Sequence, residues 1–349
     1  MRRLTLILSD LYLPDEAPEE AVAAAVAPLE LPGLTSLLRV ASKAPLPDWR
    51  AWLAAEIGSS VLAEIPVAQV AGRGLVPAHD AATAWLATAV HLSARLDHVR
   101  LVDRGLLTVA DDERAALCED FGRQFGPEYQ LHSGKGREFL LTGVPACDAV
   151  TVDPARLLDT DIAPALARGK DALKLRRVSA EIEMWLHASA VNETRERARA
   201  PRISALWLWG GGLPATVREK EVDPGPGAGN RAAVSLHGGD SFLAGLAHCA
   251  KLNSPAAAPA ALSGLDQRVE HHLVELAAMC GEPPASLPEL DESWFVPARA
   301  ALDSGTLSVL DIVANDARFR VTPKARWRFW RPRRTWFENV AGYARARKA

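Results

Sequence analysis

Residues 203–214 read ISALWLWGGGLP, an apolar run with two tryptophans that ends on three glycines. Residues of both parities are apolar, which is typical of a strand covered on its two faces in a largely parallel sheet. The run therefore predicts a central strand. Glycine at the carboxyl end of such a strand lets the backbone approach a ligand, and it equally serves a tight turn. Because the turn lacks the spacing of a P-loop or a dinucleotide fingerprint, we interpret it first as structural.

Other segments place this strand in a layered fold. The run LTLILS at residues 4–9 predicts a buried strand with Asp10 at its carboxyl end, and TLSVLDIVAND at 306–316 predicts a last buried strand. Residues 171–190 carry an apolar stripe at helical spacing, with Asp171 at the amino end. Strands that alternate with helices predict an α/β protein with a largely parallel sheet covered by helices.

The pattern changes between residues 61 and 145. Short runs of strand character surround one amphipathic helix, DDERAALCEDFGRQF, at residues 111–125. This is typical of an α+β unit inserted into a larger domain. We therefore predict an α/β core formed by residues 1–60 and 146–349, and a smaller α+β subdomain formed by residues 61–145.

Composition narrows the class of protein. The chain has 349 residues, of which 48% are hydrophobic and 24% charged, and its formal net charge is −3. These values are typical of a globular protein, and the charge favours neither nucleic acid nor an anionic membrane as a global partner. No apolar run reaches the roughly 18 residues that span a bilayer, and LTLIL is too short for a signal peptide. We expect a cytoplasmic protein with no membrane partner.

Few residues suggest chemistry by themselves. Asp10 has the position of a metal-binding carboxylate, but divalent metals need several converging ligands. His237 lies in SLHGGD, with Asp240 close by, and we interpret it as a hydrogen-bonded loop histidine. There is no G-x-S-x-G elbow. The residues alone assign no catalytic group, no metal site and no cofactor.

The carboxyl-terminal segment is the strongest local charge signal. From Arg318 onward Glu338 is the only acid, and Trp327, Trp330 and Trp336 alternate with arginines. Such a surface could bind single-stranded nucleic acid or phosphate. Alternatively, the tryptophans pack on the body of the protein and the arginines stay solvated. The net charge favours packing, so nucleic acid is not the expected partner.

Residues 169–214, which read GKDALKLRRVSAEIEMWLHASAVNETRERARAPRISALWLWGGGLP, resemble the RpfE-type bacterial regulatory proteins. That group is similar to the archaeal-type, cofactor-independent phosphoglycerate mutases, in which a P-V-N-x-x-R stretch precedes a strand ending W-x-W-G-x-G. The residues that match these motifs are Val191, Asn192, Arg195, Trp207, Trp209, Gly210 and Gly212. The likeness continues through AVSLHGGDSFLAGLAHCAKL and, more loosely, includes LPGLTSLLRVAS and WRFWRP. Its specific part covers residues 165–250.

The resemblance implies an alkaline phosphatase-like α/β fold with an inserted domain. It also implies two divalent metals and a serine or threonine that carries a phosphoryl group, yet the motifs for that chemistry are missing. The segment EIGSSVLAEI offers only Ser59 and Ser60 in place of the nucleophile motif, and no histidine follows His272. Without a metal pair, little offsets the charge of a transferring phosphoryl group. The fold is expected to be kept and the chemistry lost.

We therefore expect a phosphoglycerate mutase-like protein without phosphomutase activity, which binds an anionic or phosphorylated small molecule or acts through a protein partner. The residues expected to line that ligand site are Asp10, Asn192, Arg195, Trp209, Gly210, Gly211 and Gly212. One alternative is an active metal-dependent phosphoglycerate mutase or phosphatase with rearranged ligands. The other is a nucleic-acid-binding regulator that uses the basic carboxyl-terminal tail.

Overall fold

A computed structural model describes residues 1–13, 29–57, 60–134, 136–213, 234–277, 286–328 and 330–346. The strands are β1 (Arg3–Leu8), β2 (Ser42–Pro45), β3 (Trp85–Ala94), β4 (Val99–Leu106), β5 (Gln130–Ser133), β6 (Glu138–Thr142), β7 (Thr160–Asp161), β8 (Ala205–Trp209), β9 (Val234–His237), β10 (His271–Leu276), β11 (Val309–Ala314) and β12 (Ala317–Val321). The α-helices are α1 (Pro32–Val40), α2 (Trp49–Ile57), α3 (Val67–Gly72), α4 (Ala78–Ala81), α5 (Asp111–Phe125), α6 (Ala172–His187), α7 (Ala190–Arg197), α8 (Ser241–Ala250), α9 (Leu287–Leu290), α10 (Val296–Asp303) and α11 (Trp336–Ala346). The prediction of a mixed α/β protein is confirmed.

The chain forms two compact units. Unit 1 contains Met1–Trp49, Gly229–Gly238 and Leu252–Ala349, and unit 2 contains Arg50–Ala228 and Gly239–Lys251. This division differs from the predicted one, in which residues 1–60 and 146–349 formed the core and residues 61–145 the insertion. Residues 146–228, which were predicted to belong to the core, lie in unit 2 together with the predicted insertion. Unit 2 is consequently the longer of the two rather than a small subdomain.

The sheet of unit 1 has the order β2-β12-β11-β1-β10-β9. Strands β9, β10, β1 and β11 are parallel, whereas β12 is antiparallel to both of its neighbours. Leu4, Leu6 and Leu8 of β1 share one face of the sheet and join a core that includes Leu34 and Leu37 of α1. The expected strand at residues 4–9 thus lies in the middle of a largely parallel sheet, with Asp10 just beyond its carboxyl end.

The sheet of unit 2 has the order β5-β6-β3-β4-β7, and β8 also pairs with β3. All of these pairings are antiparallel. Helix α6 contributes Leu175, Val178, Ile182 and Leu186 to the core below this sheet. The apolar stripe in the sequence therefore predicted this helix correctly. Helix α5 coincides with the predicted amphipathic segment 111–125.

Strand β8 lies in a different sheet from the one predicted. Its register joins Trp209 to Leu86 and Ala205 to Val90, antiparallel, in the sheet of unit 2. Leu206 and Leu208 belong to one hydrophobic cluster of that unit, while Trp209 belongs to another. The strand is covered on both faces, as its sequence indicates. Burial of both faces does not require parallel neighbours, and this is why the predicted sheet was wrong.

Within the described residues no helix is both long enough and apolar enough to cross a bilayer.

Candidate functional site

The glycine turn follows β8 directly, and each of its glycines has a local structural reason. Gly210 and Gly212 have φ values of 69° and 154°, which residues other than glycine rarely adopt. A Cβ on Gly211 would lie 2.4 Å from the Trp85 ring and 2.8 Å from the Ala84 carbonyl oxygen. The turn therefore needs glycine for backbone conformation and for close packing on Trp85.

The backbone of the turn is also hydrogen-bonded. The Gly210 N–H donates to Thr151 Oγ1 at 3.2 Å, and the Gly210 carbonyl accepts from the Ala68 N–H at 2.8 Å. Gln69 Nε2 donates to the Leu213 carbonyl at 3.1 Å. These bonds fix the turn onto helix α3, so its polar backbone groups serve the fold of unit 2.

Trp209 is buried and packs against an arginine. Its Nε1 donates to Thr88 Oγ1 at 2.9 Å, and the Arg50 guanidinium carbon lies 4.9 Å from the centre of its ring. Arg50 donates to Asp153 at 2.8 Å and to Asp240 at 2.7 Å. The Arg50, Asp153 and Asp240 side chains are only 8%, 11% and 5% exposed. We call these three residues the buried ion triad.

Sequence reasoning did not find the buried ion triad. Asp240 caps helix α8, since its side chain accepts from the Phe242 N–H at 2.7 Å. Its second role, as the partner of Arg50 across 190 residues of sequence, has no local signal. The triad ties α2 to the start of α8. Because two carboxylates face one guanidinium, it has no excess positive charge with which to attract an anion.

Asn192 is almost fully buried and bonds the backbone on both sides of helix α7. Its Nδ2 donates to the Leu186 carbonyl at 2.8 Å and to the Ile203 carbonyl at 2.9 Å. Its Oδ1 accepts from the Ile203 N–H at 2.8 Å. The side chain thus connects the end of α6 to the entry of β8. These are the bonds of a structural asparagine in the interior of unit 2.

Arg195 is engaged on all of its guanidinium nitrogens. Nη1 forms an ion pair with Glu113 at 2.6 Å, and Nε donates to the Pro201 carbonyl at 2.9 Å. Nη2 lies 3.4 Å from the Thr108 carbonyl. The Arg195 and Glu113 side chains are 9% and 22% exposed. Together with Asn192 this arginine holds the loop between α7 and β8, and Glu113 neutralises its charge.

Asp10 belongs to unit 1, whereas the other six predicted ligand residues belong to unit 2. It is 1% exposed and follows β1 at the carboxyl edge of the parallel strands. Beside it Ser9 Oγ donates to Glu275 Oε1 at 2.5 Å, and the Ser9 N–H donates to the Leu276 carbonyl at 3.2 Å. This edge therefore has two carboxylates and a hydroxyl that is already bonded to one of them.

The histidines of unit 1 form a hydrogen-bonded chain. His237 Nε2 lies 3.1 Å from His272 Nδ1 and 3.0 Å from Ser235 Oγ, while His272 Nε2 donates to the Asp266 carbonyl at 2.9 Å. Burial lowers the pKa of both imidazoles, and the charge of His272 lowers the pKa of His237 further. His237 is thus hydrogen-bonded as predicted, although it ends β9 rather than lying in a loop.

His271 faces the opposite side of the sheet from His272, as expected for neighbours on a strand. Its Nε2 lies 3.1 Å from Thr5 Oγ1. Burial, followed by the positive charge of Arg3, lowers the pKa of His271 to about 3. On the same face Asp311 is fully buried and pairs with Arg3 at 3.1 Å and with Arg320 at 2.7 Å.

Two serines remain as candidates for phosphoryl chemistry. Ser59 lies outside the described residues, and Ser60 is exposed in a turn. In the part of the chain that the structure describes, no group of three or more His, Cys, Asp or Glu side chains could hold a metal ion.

No family model and no curated protein matches the chain. Among solved structures it is similar to the cofactor-independent phosphoglycerate mutase from Thermoplasma acidophilum, with 16% identity and a TM-score of 0.35 over 92% of this chain and 89% of that one. It is also similar to the PH0037 protein from Pyrococcus horikoshii, with 11% identity and a TM-score of 0.42 over 92% of this chain and 87% of that one. Both likenesses are distant, and membership of the RpfE-type group stays a prediction from the sequence.

Proposed function

We propose that this protein is a phosphoglycerate mutase-like chain without phosphomutase activity, and that it works by binding, as a regulatory protein. The proposal starts from the sequence resemblance, in which the scaffold motifs are present and the nucleophile and late metal-ligand motifs are missing. The observation that carries it is the bonding of Arg195. This residue is the expected anion contact, and its guanidinium is engaged by Glu113 and by two backbone carbonyls.

The present bonds of Arg195 bear on whether it could contact a transferring phosphoryl group. An arginine stabilises a transferring phosphoryl group only when its donors face that group. To do so, Arg195 would have to leave Glu113 and the Pro201 carbonyl, to which it donates at 2.6 and 2.9 Å. The bonds that Arg195 already makes therefore oppose its use as an anion contact.

The carboxyl edge of the unit 1 sheet supports the same proposal. Ser9 donates its hydroxyl proton to Glu275, and the Asp10 carboxyl group is adjacent in sequence. Carboxylates repel a phosphate ester unless a cation lies between them. The support for a phosphorylated ligand therefore comes from the sequence resemblance and not from this edge of the sheet.

The test is an assay of 3-phosphoglycerate conversion to 2-phosphoglycerate, with added Mn²⁺, Mg²⁺ or Zn²⁺. The matched control is Asp10→Asn, which keeps the shape of the side chain and removes its charge. We expect no metal-dependent turnover by the natural protein and no difference from D10N. Turnover that requires the metal and is lost in D10N would overturn the proposal and favour an active mutase with rearranged ligands.

A further inference from the structure

Two large aromatic side chains of the carboxyl-terminal segment are exposed to solvent. Trp327 and Trp330 are 61% and 69% exposed, whereas Trp336 is 3% exposed and belongs to the core of unit 1. The expectation that all three tryptophans pack on the body is therefore correct for Trp336 and wrong for the other two. Contact of an indole ring with water is unfavourable, and two exposed indoles three residues apart indicate an interaction surface.

The exposed tryptophans lie on a turn that is attached to the body of unit 1. A 3₁₀ helix covers Pro323–Trp327, and its Ala325 is buried in the core of the unit. The Arg328 N–H donates to the Ala325 carbonyl at 2.9 Å, and the Arg331 N–H donates to the Arg328 carbonyl at 3.2 Å. These bonds position the indoles relative to the arginines between and after them. We call Lys324, Trp327, Arg328, Trp330, Arg331, Arg333 and Arg334 the tryptophan–arginine surface.

The arginines of this surface are partly preorganised. Arg328 Nη1 donates to the Val40 carbonyl at 3.0 Å and to Ser42 Oγ at 2.8 Å. Arg331 Nη1 donates to the Ala41 carbonyl at 2.5 Å. Each bond uses a single nitrogen of a guanidinium that has about five donors. The remaining donors of both guanidinium groups can therefore contact a phosphate with little further loss of side-chain freedom.

The local charge is strongly positive. Lys324, Arg333 and Arg334 are all exposed, and the nearest acid in sequence, Glu338, accepts from Thr335 at the start of α11. Burial and then the charge of Arg334 lower the pKa of Lys43 to about 8. Positive charges are thus close enough to disfavour one another. A polyanion would relieve this repulsion and release counterions on binding.

We propose that the tryptophan–arginine surface binds single-stranded nucleic acid, with bases stacked on Trp327 and Trp330 and phosphates held by the surrounding arginines. A duplex offers the indoles no unstacked base. A membrane-binding helix separates an apolar face from a basic face, whereas here aromatic and cationic residues alternate along the chain. Alternating aromatic and cationic residues are suited to single-stranded nucleic acid, in which bases and phosphates also alternate. This inference is independent of the proposed loss of phosphomutase activity.

Fluorescence anisotropy with a labelled oligothymidylate of about 16 nucleotides tests the inference. We expect saturable binding by the full chain, weakened about ten-fold or more in Trp327→Ala and in Trp330→Ala, and partly restored in Trp330→Phe. In Arg333→Gln combined with Arg334→Gln, the slope of log K against log salt should fall by roughly 0.7 for each arginine removed. Thermal unfolding of each variant, compared with the natural protein, establishes that it is folded.

Two matched controls come from unit 2. Leu96→Ala removes an exposed apolar side chain, and Arg177→Gln removes an exposed arginine. Both should bind the oligonucleotide like the natural protein. The inference is overturned if the natural protein does not bind the oligonucleotide, if the tryptophan variants bind as tightly as the controls, or if a duplex of equal length competes equally well. Binding only to vesicles containing phosphatidylserine would likewise overturn it, in favour of a membrane surface.

Discussion

Replacing Asn192 tests whether a residue from the predicted ligand site is in fact structural. Its side chain is 1% exposed and makes three hydrogen bonds to the backbone, of 2.8, 2.9 and 2.8 Å. Asn192→Ala leaves the carbonyl and the N–H of Ile203 without this partner, whereas the Leu186 carbonyl still accepts from the Ser189 N–H at 3.1 Å. Each buried group left unsatisfied costs about 1–3 kcal/mol. For the two Ile203 groups we predict a loss of unfolding free energy of about 2–6 kcal/mol.

A second substitution at the same position separates hydrogen bonding from side-chain volume. Asn192→Asp keeps the acceptor for the Ile203 N–H but replaces both donated bonds by repulsion between a carboxylate and two carbonyl oxygens. Because a buried charge without a partner is costlier than a small cavity, we predict that N192D is at least as unstable as N192A. The isosteric variant would be the milder one if only volume mattered.

Urea denaturation followed by circular dichroism measures both variants. Thr194→Ala is the control, since Thr194 is exposed on the same helix and its hydroxyl bonds the Ala190 carbonyl within that helix. We expect this control to remain within about 0.5 kcal/mol of the natural protein. The structural interpretation is refuted if N192A is also within that range, or if N192D is clearly more stable than N192A.

Three further predictions concern packing, pH and buried charge. Gly211→Ala should destabilise by about 1–3 kcal/mol because its Cβ meets the Trp85 ring, whereas Gly122→Ala, in open space on a helix, should stabilise by about 0.5–1 kcal/mol; thermal unfolding with the opposite order would contradict this. The pKa of His271 is about 3 in the folded chain and 6.5 in the unfolded chain, so the free energy of unfolding should fall as the pH falls from 6.5 towards 3. If the free energy of unfolding of His271→Gln depended on pH as steeply as that of the natural protein, this prediction would be contradicted. Arg50→Met should cost about 3–5 kcal/mol by leaving two buried aspartates without their guanidinium, and an unchanged urea midpoint would show that the buried ion triad is not important for stability.

The sequence predicted the elements whose signals are local. Strand β1, helix α5 and helix α6 are identifiable from runs and stripes of apolar residues, and the Asp240 cap is identifiable from its position before α8. These features depend on residues within a few positions of one another. Their physical causes are therefore contained in a short window of sequence.

The features that were missed depend on partners far away in sequence. Apolar residues at both odd and even positions of β8 indicate that both of its faces are buried, but they do not indicate that its neighbour is β3. Arg195 pairs with Glu113 across 82 residues, and Gly211 is required because Trp85 lies against it. A sequence motif indicates that such a residue is required, but it does not indicate whether the residue contacts a ligand or another part of the protein. The exposure of Trp327 likewise depends on how the tail crosses unit 1.

Titration of the metal-stripped protein with Mn²⁺ in a calorimeter, followed by the phosphoglycerate assay on the same sample, tests the central proposal most directly. We predict no saturable uptake of Mn²⁺, identical heats for the natural protein and Asp10→Asn, and no turnover. Saturable uptake that weakens in the D10N variant and restores phosphoglycerate conversion in the natural protein would contradict the proposal that the scaffold has lost its chemistry.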